Sequence, residues 1–164
     1  MRSFTILLCI MALAIIPPGQ VLASTVHLEA PPDTLSFPTA GSTDILMINL
    51  TGDGDGLSGY NLGLSMTTPG IVEVASVAYP PWAGMVSNGT IPAENTWIQA
   101  VDLQMQVESG GDFPVLLTTI TLRAIADGET VLTVSPVIVD DDRGGRYALD
   151  PIQIPVRLEQ YPRK

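Results

Sequence analysis

From Ser24 onward the chain breaks into short apolar runs rich in Val, Ile, Leu and Thr, separated by Gly, Pro, Asp and Asn clusters. No stretch holds a 3.6-residue period long enough for a helix, so the chain must bury its apolar residues as strands. The runs fall at 25–29, 44–50, 59–66, 71–77, 97–104, 115–124, 130–139 and 152–158. Between them stand turn-forming stretches such as "TPG", "ESGGDFP", "ADG" and "DDDRGG". This spacing predicts an all-β sandwich, and neither a repeat nor a linker interrupts it.

The first 23 residues are set apart. One arginine, an apolar run of 13 residues from Phe4 to Ile16, the breaker Pro17-Pro18-Gly19 and Ala23 have the layout of a secretory signal peptide. The run is too short for a membrane helix, which takes roughly 20 residues. Removing residues 1–23 removes Cys9, the only cysteine, so the exported chain has no disulfide and no thiolate metal site. The expected protein is one domain over 24–160, secreted or associated with the cell envelope, with no later membrane span. The full chain carries a formal charge of −10, which becomes −11 once Arg2 leaves with the first 23 residues, and this makes nucleic acid and anionic lipid poor partners.

In the run 59–66, Tyr60, Leu62, Leu64 and Met66 alternate with Gly59, Asn61, Gly63 and Ser65. One face belongs to the core, and the other is flat and uncharged. Small residues there leave backbone open to a partner lying against it, or simply suit a twisted or covered strand.

The order of motifs resembles the cohesin family. "GLSGYNLGLSMTTPGIVEVASV" is similar to an alternating strand, a Pro-containing turn and a V-E-V strand of that family. "WIQAVDLQMQVESGGDFPVLLTTITLRAIADGETVLTVSPVIVDDDRGG" continues the likeness through a Gly-rich loop, two strands and an Asp-rich turn. The chain also resembles cohesin-like domains of methanogen-type archaeal secreted or surface proteins, of which the "SGYN" step, the "YPPWA" to "WIQAVD" stretch and the "DDD" turn look typical. The family's Tyr-Asp-Pro is replaced here by Met66-Thr67-Thr68-Pro69. The resemblance implies a flattened nine-stranded jelly roll, also found in carbohydrate-binding modules. It further implies a non-catalytic module that recognises a protein, dockerin-type or another surface protein, through a flat sheet. The implied partner face holds Asn61, Gly63, Ser65, Gln99 and Asp102.

Two acidic stretches raise the question of calcium. "TGDGDGLSGY" lacks the twelfth-position carboxylate of an EF-hand, since an alignment starting at Asn49 puts Tyr60 there. A looser site at Asp53 and Asp55 competes with a plain turn. At Asp140, Asp141 and Asp142 three adjacent carboxylates repel one another, and a cation, the neighbouring Arg143 and Arg146, or solvation would each relieve this. No other cofactor is expected.

Tyr79 and Trp82 in "YPPWAGM" are candidates for stacking on a sugar ring, the basis of an alternative reading as a carbohydrate-binding module acting in polysaccharide breakdown or at the cell envelope. Against it, Trp82 would plug one end of the sandwich and Trp97 would sit in the core. A lone His27 and one dispersed set of carboxylates give catalysis little support, and zinc lacks a ligand set. Asn49-Leu50-Thr51 and Asn88-Gly89-Thr90 are N-glycosylation sequons, Asn88 lying in a Gly-containing loop and Asn49 close to a strand.

Overall fold

The structure, a computed structural model, describes residues 26–108 and 113–158. The signal peptide expected over 1–23 lies outside the described residues. Among those described there is no helix, and ten strands form two sheets. They are β1 (His27–Glu29), β2 (Leu35–Phe37), β3 (Thr43–Thr51), β4 (Gly59–Met66), β5 (Val72–Ala78), β6 (Met85–Asn88), β7 (Asn95–Val101), β8 (Val115–Ala124), β9 (Glu129–Asp140) and β10 (Ile152–Leu158).

The smaller sheet has the order β1-β3-β8-β5 and the larger β2-β10-β9-β4-β7-β6. Every pairing is antiparallel except β10 with β2. Ten strands rather than nine are present because β2 and β6 are additional to the apolar runs. "LSF" and "MVSN" are too short to show alternation, and β6 is exposed at all four positions.

The alternating positions of β3, β4, β8, β9 and β10 supply most of the core, with Leu46, Ile48, Leu62, Leu117, Ile120, Leu132 and Val134 fully excluded from water. Two polar tips are fastened inside it. The Tyr60 hydroxyl crosses from β4 in the larger sheet to donate to the Leu117 carbonyl of β8 in the smaller one, at 2.7 Å. Trp82 stacks edge-on against Tyr60, centroids 6.1 Å apart, and its Nε1 donates to the Leu116 carbonyl at 2.9 Å. Each bond satisfies a buried donor that would otherwise lose its water. Together they tie both sheets and the β5–β6 connection to one stretch of β8.

β9 is regular until Val134 and bulged after it. Asn61 faces Ile138 and Leu62 faces Pro136, so Val137 is the unpaired extra residue, and it stands 61% exposed. Pairing with β10 ends at Val134. Pro136, which has no N–H to give, therefore occupies a segment flanked on one side only.

Tyr60→Phe should lower unfolding free energy by about 1–2 kcal/mol through the stranded carbonyl, and Trp82→Ala by about 3–5 kcal/mol through the cavity, read from urea melts. Burial pushes the Tyr60 phenol far above its ordinary value near 10. Its contribution is therefore intact below about pH 10 and is lost as pH rises further, because the unfolded chain ionises first. Melts at pH 8 and pH 11 should show a smaller alkaline loss in Tyr60→Phe than in wild type. Part of the loss should remain, since burial also raises Tyr79 and Tyr147.

Candidate functional site

β4 is the third strand from one edge of the larger sheet, and its alternation is as the sequence predicts. Tyr60, Leu62, Leu64 and Met66 are buried, Asn61 and Gly63 half-buried, and Ser65 exposed. Register supplies the neighbours of the outward residues. Asn61 lies between Gln99 and Ile138, Gly63 between Trp97 and Ser135, and Ser65 between Asn95 and Thr133. One strand further out, Ser87 faces Gln99 and Met85 faces Val101.

The centre of this outer face therefore carries amides, hydroxyls and a few apolar side chains, with no ionisable group. Charge begins at its margins, with Asp140 opposite Gly59 at one end and Glu129 and Arg157 facing each other toward β10. Gly63 is the low point. A Cβ built there would meet nothing nearer than the Ser135 carbonyl oxygen at 3.8 Å, an ordinary contact. The missing side chain is thus a property of the surface rather than a demand of packing.

Trp97 corrects the expectation that it is core: it is 40% exposed, on the outer side of β7 beside Gly63. Its partners in the strand, Ile98 and Ala100, are the buried ones. Gln99 stands where expected, on the face beside Asn61. Asp102 does not. It is only 7% exposed, and its carboxylate accepts the backbone N–H groups of Gln104 (3.2 Å) and Val107 (2.8 Å). It staples the loop after β7, and its burial keeps it off the broad face. That loop displays Leu103 and Met105, 60% and 70% exposed. Sequence reasoning missed Ser135, Thr133, Ile138 and Met85 as members of the face. Their alternation was readable, but only register places them beside β4.

The aromatic pair of the sugar reading is not displayed. Trp82 is 9% exposed and serves as the plug described above, so its ring faces are covered. Tyr79 is half-buried and donates its hydroxyl to the Ser87 carbonyl at 2.9 Å.

The two acidic stretches, far apart in sequence, meet at one end of the sandwich. The Asp142 N–H donates to the Asp55 carbonyl at 3.1 Å, and the Ser58 hydroxyl lies 2.6 Å from the Asp141 carbonyl. The Tyr147 hydroxyl accepts from the Asp55 N–H and donates to the Gly56 carbonyl, both at 2.7 Å. The carboxylates are spent separately. Asp140 takes Arg146 at 2.7 Å, Asp55 takes Arg143 at 3.3 Å, and Asp141 accepts the N–H groups of Arg143 and Gly145. Asp142 receives Ser58 at 3.1 Å, and Asp53 is exposed in the same loop. Among the described residues no three acidic, histidine or cysteine side chains gather in a group that could hold a metal ion. The arginines and backbone donors relieve the repulsion that suggested calcium.

No protein-family profile matches the sequence, and no curated protein does. Solved structures do match. A non-cellulosomal cohesin from the hyperthermophilic archaeon Archaeoglobus fulgidus aligns with a TM-score of 0.59 at 16% identity, over 84% of this chain and 92% of that one. A cohesin from Clostridium acetobutylicum aligns with a TM-score of 0.65 at 16% identity, over 85% and 95%. A chain of a type I cohesin–dockerin complex from Clostridium thermocellum aligns with a TM-score of 0.63 at 11% identity, over 83% and 100%. At such identities the likeness speaks for the backbone and not for the side chains, and on that ground the chain has a cohesin-like fold.

Proposed function

We propose that the chain is a non-catalytic, extracellular recognition module that holds a protein partner against the outer face of β9, β4, β7 and β6. The observation that carries this reading is the bare, uncharged patch at Gly63, open to a Cβ yet unfilled, with Trp97 exposed beside it. A partner can lie close to backbone there and bury an indole, the kind of anchor that dominates protein interfaces. The uncharged centre avoids the desolvation cost of stranding an ion beneath the partner. Solved cohesins of this fold include chains in complex with dockerins, which makes a dockerin-type module the first partner to try. The sugar reading, which named Tyr79 and Trp82, has less support, since Trp82 is buried and the half-buried Tyr79 gives its hydroxyl to the Ser87 carbonyl.

Gly63→Arg should weaken capture of the partner by at least about 100-fold, near 2.7 kcal/mol, and Trp97→Ala by about tenfold or more. Both variants should keep the wild-type melting curve. Ile45→Lys, on the outer face of the smaller sheet, should bind as wild type. The measurement is titration calorimetry against dockerin-type modules and against proteins retained by the immobilised chain from the secreted fraction. Equal binding by wild type and Gly63→Arg would remove the face from the argument.

A further inference from the structure

The Asn88-Gly89-Thr90 sequon lies at a place that the recognition reading leaves unused. β6 is the last strand of the larger sheet, and nothing pairs with its outer side among the described residues. The Gly89 N–H donates to the Trp97 carbonyl at 2.9 Å, which makes Gly89 and Trp97 a hydrogen-bonded pair. By the two-residue alternation of an antiparallel ladder, Ser87 and Gln99 form the next such pair. Val86 and Asn88 therefore turn their backbone N–H and C=O groups toward the open edge. With Met85 53% and Val86 45% exposed, this is an apolar edge of the kind that recruits strands from other chains.

The side chain of Asn88 emerges beside that edge. Its partner Ile98 points into the core, so Asn88 is on the core-facing side of the sheet. The position is nevertheless open to water, as is Thr90. Trp97 and Gly63 lie on the opposite side. A bulky group on Asn88 would flank the bare edge and leave the broad face clear.

The other sequon is placed differently. Asn49 sits in β3, paired with β1 through Glu29 and with β8 through Leu116. Its Thr51 hydroxyl is 2.9 Å from His27 Nε2. A transferase must draw the tripeptide out of the surface to engage both the amide and the hydroxyl. At Asn49 that means breaking ladders on two sides, whereas β6 has a single ladder that ends at Gly89.

We propose that Asn88, and not Asn49, is the N-glycan acceptor of this fold, and that its glycan guards the open edge of β6. In the transfer, Asn88 Nδ2 forms a bond to the anomeric carbon of a sugar carried on a lipid phosphate. The anomeric carbon–oxygen bond breaks, the phosphate leaves with the electron pair, and the amide nitrogen gives up one proton.

The test uses the folded full chain, a purified single-subunit oligosaccharyltransferase that requires only Asn-X-Ser/Thr, and a lipid-linked oligosaccharide. Intact-mass spectrometry should show one added glycan, and peptide mapping should place it on Asn88. Asn88→Gln and Thr90→Ala should each abolish the addition, while Asn49→Gln should leave it unchanged. Transfer to Asn49 in the wild-type chain, or no transfer to a chain with its native circular dichroism, would overturn the proposal.

Discussion

The pleat is the constraint on which the rest of this structure depends. The described chain has no helix and no cysteine to staple it. Its stability rests on burying one side of each sheet against the other. In a strand every residue given to the core commits its neighbour to the opposite side. Tyr60, Leu62 and Leu64 could not be core without Asn61 and Gly63 being surface. The same commitment passes laterally through register, from Gly63 to Trp97 and Ser135. A slip of one residue in β7 would exchange the exposed Trp97 for the buried Ile98.

This explains which parts of the molecule were legible in the sequence. β4, β8 and β10 were readable to the residue, because their runs are long and bounded by turn residues. β2 and β6 were not, since three or four residues are too few to show a period, and β6 buries none of its own. Trp97 was misplaced because "NTWIQAV" has apolar residues on both sides, and only pairing with β4 shows which side faces the core. Asp102 was placed on the partner face by the resemblance to cohesins, in which the matching strand lies on the binding sheet. Its role in holding Gln104 and Val107 is a matter of loop geometry that no local pattern announces.

The acidic end illustrates a second limit. Sequence reading treated the Asp53–Asp55 loop and the Asp140–Asp142 turn as two separate metal questions, since it had no means of bringing them together. In the fold they form one interlock in which backbone carbonyls and N–H groups do most of the joining. The arginine pairs on it are exposed and so contribute little to stability. Their consequence is local: each sets one guanidinium against one carboxylate. The acidic turn closes the end of the sandwich next to Gly59 and sets a charged boundary to the uncharged face.

Gly59 and Gly63, two turns of the pleat apart on the same side of β4, show how structure separates folding from function where sequence cannot. A Cβ on Gly59 would come within 2.8 Å of the Ala100 carbonyl oxygen, so that glycine is required by the close approach of β7. A Cβ on Gly63 would make only an ordinary contact, 3.8 Å from the Ser135 carbonyl oxygen. Folding would accept a larger residue there, and β-propensity would favour one. An unfilled position in the middle of a sheet, costing stability and flanked by an exposed indole, is explained by what rests on it rather than by what lies beneath it.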